Sequence, residues 1–442
     1  MSWGFGNWGF ESLGPLASLG PRVFALDPLY LDGVGLAEVA ITLGKVIVAF
    51  GLLLVGVMLM IWFERKLISD MQNRIGPSLA GPFGIFQTLA DGIKLFFKED
   101  LIPQRSDPLV FKLAPYLSLV PAFLVFAVVP IGGDFNGGDG RVSIFGHETF
   151  LQVADPPIGI LLVLAMSSVA VYGVMLAGWS SGSKYPLLAS VRASAQMVSY
   201  EAALGLSLAA VLLKSGSLST NQIVSEQSVW NWNLWLTWVV PMVVFLIAAT
   251  AELNRPPFDL VEAEQELVGG FHTEYSSLRF ALFFLAEFMN TITMSAIIVT
   301  LFLGGPNGPD FTTVGWLSGV LWFFIKLMLF VFTFIWLRAT LPRIRYDQLM
   351  DLGWKLLIPV SLGWLLLLAS YDIAGDRGWN RPLTLIVTVL VMCGLAGLLR
   401  LALLSGTKAA TPNNAQESSL GSLDTLDTLD TLDTLETKEG AF

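Results

Sequence analysis

Nine apolar runs of roughly 20 residues dominate this chain, the length an α-helix needs to cross the hydrocarbon core of a bilayer. They cover roughly 38–63, 110–131, 156–179, 190–213, 234–253, 278–303, 314–338, 354–372 and 382–404. Inside a bilayer every backbone polar group must be satisfied within the protein, and runs of this length do that as helices. The fold class expected is an all-α polytopic membrane protein of about nine transmembrane helices, with amphipathic helices in its loops. Composition agrees: 54% of residues are hydrophobic, 14% are charged and the mean hydropathy is +0.67. The fifth run begins rich in Trp, which also suits a position at the membrane surface.

Basic residues set the orientation, because Lys and Arg concentrate on the cytoplasmic side. With the loop after the first run placed inside, eighteen of the 25 Lys and Arg fall in inner segments. Five fall in outer ones: Arg22, Arg141, Lys214, Arg377 and Arg381. The remaining two, Lys45 and Lys326, sit within apolar runs. This asymmetry puts the N-terminus outside and the C-terminus in the cytoplasm. Residues 1–35, rich in Gly, Trp, Phe and Pro, are expected to lie at the outer interface, residues 36–405 to form the membrane domain, and residues 406–442 to form a cytoplasmic tail. The Asp-Thr-Leu triplets of that tail follow neither a helical nor a strand period, so disorder is expected there. The opening MSWGFGNWGF has no basic segment of the kind that begins a signal peptide. Within the long inner loop Glu64–Leu109, the portion Phe83–Phe97 spaces its apolar residues as an amphipathic helix, lying in the interface or against neighbouring helices. The outer loop 132–154, with GGDFNGGDG, reads as a plain connector.

One cysteine, Cys393, and two histidines exclude a self-contained Cys-ligated iron–sulfur cluster, a disulfide framework and a Cys/His zinc site, and no metal site is expected. If electrons are involved, another chain carries them. There is no Gly-rich phosphate loop, no HExxH, no GxSxG and no GxGxxG opening a βαβ unit. No inverted repeat of broken helices is evident, which weakens a secondary transporter.

The charges that remain are concentrated. Residues 251–274, AELNRPPFDLVEAEQELVGGFHTE, carry Glu252, Asp259, Glu262, Glu264, Glu266 and Glu274 against Arg255, with His272 able to add a second positive charge. Arg255-Pro256-Pro257 stops the fifth helix, since proline lacks the donor and clashes with the preceding turn. A solvated acidic loop is the plain explanation of such a run. Glu252, inside an apolar run, argues against it, as do Glu201 and Glu287 in the neighbouring runs. Ionisable groups at membrane depth are costly and usually functional, although they can also be satisfied polar groups that hold helices together. Three such glutamates beside the loop carboxylates favour a connected polar path able to conduct protons. Lys45 and Lys326 are weaker cases, because lysine can snorkel to the interface.

Six blocks in order carry a resemblance: ERK (64–66), QNRIGP (72–77), ADGIKLFFKE (90–99), SAQMVSYE (194–201), AELNRPPFDLVEAEQELVGGFHTEYS (251–276) and LRATLPRIRYDQLMDLGWK (337–355). Through these the chain resembles the family of the H subunit of bacterial respiratory complex I, NADH:quinone oxidoreductase, which includes mitochondrial subunit 1. The resemblance covers most of 40–372. It implies a membrane subunit of a proton-pumping enzyme in the plasma membrane of a bacterium, with no redox centre of its own. It implies a quinone chamber lined by Glu64, Arg65 and Asp91, with Arg74 and Arg343 or Arg345 nearby. It implies an acidic proton path through Glu201, Glu252, Glu262, Glu264, Glu266 and Glu287. Quinone is then the substrate, and NADH, flavin and iron–sulfur clusters belong to partner subunits. The implied partners are the peripheral-arm and membrane-arm subunits and membrane lipid, with no nucleic acid. One departure stands out: MSSVAVYG (166–173) carries no acid where some members have a further carboxylate. The equivalent subunit of a membrane-bound hydrogenase, a free-standing ion carrier and a structural anchor for soluble subunits are the alternatives; the ERK and ADG blocks favour the quinone version.

Overall fold

A computed structural model of the protein describes residues 27–30, 35–135, 139–228, 231–260, 267–310 and 315–409, those at 395–396 and 398–409 by their backbone alone. The chain divides into two compact units, Met1–Leu365 and Leu366–Phe442. In the first lie helices α1 (Leu36–Met71), α2 (Gln87–Phe97) and α3 (Pro108–Phe126), then a hairpin of strands β1 (Arg141–Ile144) and β2 (His147–Phe150). After the hairpin come α4 (Gly159–Ser180), α5 (Lys184–Ser215), α6 (Thr220–Ser225), α7 (Asn233–Leu236), α8 (Val240–Glu252), α9 (Ser277–Phe302) and α10 (Gly315–Thr340). A short α11 (Tyr346–Asp351) passes through a π-helical turn, Leu352–Leu357, into α12 (Ile358–Asp376). The chain thus returns repeatedly to one end of the bundle, at 64–107, 181–183, 253–276 and 341–346. This is called the basic end below; the opposite one is the hairpin end.

Among the described residues seven helices are long and apolar enough to cross a membrane: α1, α3, α4, α5, α9, α10 and the continuous stretch Tyr346–Asp376. The fifth and ninth runs appear as shorter apolar helices, Val240–Glu252 and Arg381–Gly394. The fifth is cut short because Trp238 and Val239 take positive φ, 62° and 65°, separating α7 from α8. Its 13 residues reach about 20 Å, less than the ~30 Å of hydrocarbon. The loop expected to be a plain connector is a hairpin instead. Val142 pairs with Thr149 and Ile144 with His147 around a two-residue turn at Phe145 and Gly146, both at positive φ, the turn type that matches strand twist.

The core explains the order of the layers. The apolar window of α9 is 72% buried and that of α1 only 28%, so α9 is the central post and α1 keeps a side for lipid. Helices α3 and α4 approach closely at Gly173, where an added Cβ would meet the Ser118 hydroxyl at 2.2 Å and the Ala114 carbonyl at 3.1 Å; small residues permit such crossings in membranes. Gln196 of α5 donates to the carbonyls of Ala251 and Phe258 at 2.7 and 2.9 Å, which fixes the loop after α8 against the bundle.

Both lysines within the apolar runs are paired inside the protein. Lys45 pairs with Asp27 at 2.7 Å and also bonds Thr149, tying the start of the described chain to α1 and the hairpin. Lys326 of α10 is buried and donates to the carbonyls of Leu303, Gly305 and Asn307 at 2.7, 2.9 and 2.7 Å, with the Trp232 ring 5.1 Å away. It satisfies carbonyls of the buried loop that follows α9. Lys326→Met should leave these carbonyls unpaired at a cost of about 2 kcal/mol. A lower melting temperature of the solubilised protein is the expected reading, and an unchanged one would mean that water replaces the ammonium.

The second unit holds the last turns of α12 and α13 (Arg381–Ala409). In it the Thr388 hydroxyl donates to that of Ser370 at 3.1 Å, and Arg381 lies 5.3 Å from the Tyr371 ring centroid. The first four residues of the expected disordered tail, 406–409, continue α13 as helix; residues 1–26 and 410–442, hence the rest of that tail and most of the expected interfacial segment, lie outside the described residues.

Candidate functional site

The last two turns of α1 face two ways at the basic end. Arg65 turns outward and meets Asp91 of α2 at 2.7 Å, with Lys94 3.7 Å from the same carboxylate and Gln87 donating to it at 3.3 Å. Burial alone would raise the Asp91 pKa; the Arg65 hydrogen bond and charge, with Lys94 and Gln87, outweigh it and hold the carboxyl below its usual range. Helix α2 is docked by the Trp62 indole donating to the Phe83 carbonyl at 2.9 Å and by Thr88 donating to the Met58 carbonyl at 3.3 Å. The amphipathic reading of this loop holds for Gln87–Phe97, and Ile93, Phe96 and Phe97 remain exposed on the helix face turned away from Asp91.

Glu64, the residue before Arg65, points inward. It is 5% exposed and lies between Arg255, at 2.8 Å, and Arg338 of α10. Arg255 is 4% exposed, and its Nε lies 3.0 Å from Glu287 of α9. Its guanidinium also lies 4.2 Å from the Phe288 ring centroid, a cation–π contact. One arginine thus bridges the carboxylates of α1 and α9. Its place follows from local sequence: α8 ends at Glu252, Asn254 turns at φ 52°, and the Ile344 N–H donates to the Pro257 carbonyl at 3.1 Å, clamping this loop to the segment after α10.

Deeper in the bundle the glutamates are held by α4. Ser167 donates to Glu252 and Ser168 donates to Glu201. These serines belong to the stretch that lacks an acid, so the departure from the family pattern coincides with two hydroxyls that hold acids on neighbouring helices. The second oxygen of Glu252 is buried without a hydrogen-bond partner. A cavity of about 70 Å³ is lined by Glu252, Glu287, Asn254, Asn290, Ser118 and His272. A second, of about 20 Å³, continues from Glu252 and Asn290 to Ser167 and Thr293. Carboxylates, amides and hydroxyls around such spaces can hold water and pass protons.

The sequence-derived residues therefore fall into groups. Arg65 and Asp91 come together, as do Glu64 and Glu287 through Arg255; Glu252 and Glu287 share a cavity. Arg74 turns to Gln72 at 2.7 Å, and Arg343 and Arg345 are exposed on the segment before α11; among the described residues no ion pair joins these three to Arg65 and Asp91. Glu262, Glu264 and Glu266 lie outside the described residues. His272 does not add a positive charge, because burial pushes its pKa down to about 4. Sequence reasoning missed Arg338, Ser167, Ser168 and Asn290.

A sequence model described as NADH dehydrogenase matches residues 44–369, a span that includes every group just described. The chain belongs to the NADH dehydrogenase family. Curated relatives are named as the H subunit of NADH-quinone oxidoreductase. That of Frankia alni is 52% identical over 349 residues, 78% of this chain and 75% of the relative. That of Streptomyces avermitilis is 50% identical over 364 residues, 80% and 76%. That of Cutibacterium acnes is 43% identical over 417 residues, 90% of each. These relatives are subunits of an enzyme complex, and this member of the family is a multi-pass membrane component. Helix α13 lies beyond the matched residues.

Proposed function

We propose that this chain is the membrane subunit of a proton-pumping NADH–quinone oxidoreductase that forms the quinone chamber and couples quinone reduction to proton movement. Its basic end faces the cytoplasm and meets the peripheral-arm subunits, which carry NADH oxidation, flavin and iron–sulfur clusters. Glu201, Glu252 and Glu287, continued by Glu262, Glu264 and Glu266, lead towards the membrane-arm subunits. The membrane is the plasma membrane of a bacterium.

One observation carries this reading: adjacent residues of α1 reach both halves of the machinery. Arg65 holds Asp91 of the amphipathic helix α2, and Glu64 holds Arg255, which holds Glu287. Quinone reduction takes two electrons and two protons, and negative charge developing in a low-dielectric chamber is costly. Arg65 and Asp91, with Arg74, Arg343 and Arg345 arriving from neighbouring loops, stabilise the headgroup and that charge. A change of pairing there shifts the end of α1 and with it the Arg255 bridge. The Glu287 and Glu252 carboxylates then exchange protons with the cavity water. The coupling is a free energy between two sites, and only measured coupling establishes it.

Arg65→Ala or Asp91→Ala should lower NADH:quinone turnover by about tenfold or more while leaving NADH oxidation by a soluble artificial acceptor intact. Such acceptors draw electrons before the membrane site. Equal loss of both activities would indicate failed assembly and count against a role in the quinone chamber.

A further inference from the structure

The cavity that holds Glu252 and Glu287 has a neighbour closer to the surface. That outer space measures about 310 Å³ and is lined by Leu95, Lys98, His272, Thr273, Ser276 and Phe280, among others. Lys98 and Thr273 are exposed, so it reaches the surface of the basic end. The two spaces share two residues, His272 and Phe280. The Phe271 and Phe280 rings stand 5.0 and 5.3 Å from the imidazole, edge-on, as an apolar collar. Of the two shared side chains, the imidazole alone has atoms that bind and release a proton.

Building on the proposed function, we infer that His272 is the proton inlet of the carboxylate cavity, passing protons from water at the basic end to Glu287 and Glu252 by a route separate from the quinone chamber. One ring nitrogen accepts a proton from water in the outer space, while the opposite N–H gives its proton to water or a carboxylate in the inner one. The ring is left as the other tautomer and resets by turning over. No bond other than N–H and O–H changes, and no electrons move. Burial disfavours a standing imidazolium, so the two transfers are concerted. The charged neighbours suit this direction of flow. Lys98 lines the outer space, Arg279 is already paired with Asp100 at 2.9 Å, and the inner space presents the carboxylates.

The test uses the whole assembled complex in sealed vesicles. His272→Phe keeps the bulk of the ring and removes both nitrogens; His272→Ala leaves a gap next to the outer space. Both should slow proton pumping and coupled quinone reduction at least about tenfold, at the low end of what a positioned proton-transfer group supplies. NADH oxidation by a soluble acceptor should be unchanged. Added imidazole should restore much of the rate in His272→Ala and nothing in His272→Phe. Wild-type rates in either variant would overturn the inference. So would a loss that imidazole fails to restore in His272→Ala, since that marks a packing role. Glu252→Gln run in parallel separates the levels. If it is impaired while the His272 variants pump normally, only the inlet is wrong; if it also pumps normally, the proposed function itself falls.

Discussion

Arg255→Leu is expected to be the most damaging single substitution in this chain. It removes the guanidinium from a position 4% exposed, between Glu64 at 2.8 Å and Glu287 at 3.0 Å, and takes away the cation over Phe288. Removing one member of a buried ion pair strands the other and costs about 3–5 kcal/mol. Here a cost of about 3 kcal/mol is expected, at the low end of that range, because Arg338 stays on Glu64 and Glu287 borders the cavity. The complex should assemble in reduced amount, and what assembles should have lost quinone turnover by at least about tenfold. Arg255→Lys keeps the charge but not the planar fork that reaches two carboxylates, so its loss should be intermediate. Arg255→Leu combined with Glu287→Gln removes the stranded charge, because Arg338 still neutralises Glu64. It should recover assembly without recovering coupled activity. Assembly yield and the two NADH oxidation rates, compared across these variants, check this. A full return of turnover in the double variant would show the network to be structural only.

How far the sequence could be read varies with how local the cause is. Apolar runs declare their helices because length alone decides the matter in a bilayer, and residues 83–97 declare an amphipathic helix by spacing, of which the structure forms 87–97 after a turn at Phe83. The break at Trp238 and Val239 was not legible, since neither residue type favours positive φ and only tertiary packing holds them there. The hairpin was legible in principle: Phe145-Gly146 is a two-residue turn between alternating segments, obscured by the Gly- and Asp-rich residues before it. Arg338 counted only as an inner-side charge, because its partner Glu64 is 274 positions away in sequence. Ser167 and Ser168 stood out only as the absence of an acid. A serine on an apolar helix is ordinary helix glue until a neighbouring helix supplies the carboxylate. The ERK block gave no hint that Glu64 and Arg65 serve different clusters, which depends on which neighbours flank α1.

Glu252 tests the central claim most directly. Its carboxylate accepts from Ser167, one of its oxygens has no partner, and it lines both inner cavities. Glu252→Gln keeps the shape and the Ser167 bond, because an amide oxygen also accepts, and loses only the titratable proton. The decisive measurement is the number of protons moved per NADH oxidised by the purified complex in sealed vesicles, wild type against Glu252→Gln. Assembly yield and NADH oxidation by a soluble acceptor, taken on the same preparations, confirm that like is compared with like. The expected variant assembles normally and loses most of its pumping and pumping-linked quinone reduction. A variant that assembles normally and pumps at the wild-type ratio and rate would contradict the coupling of quinone reduction to this line of carboxylates.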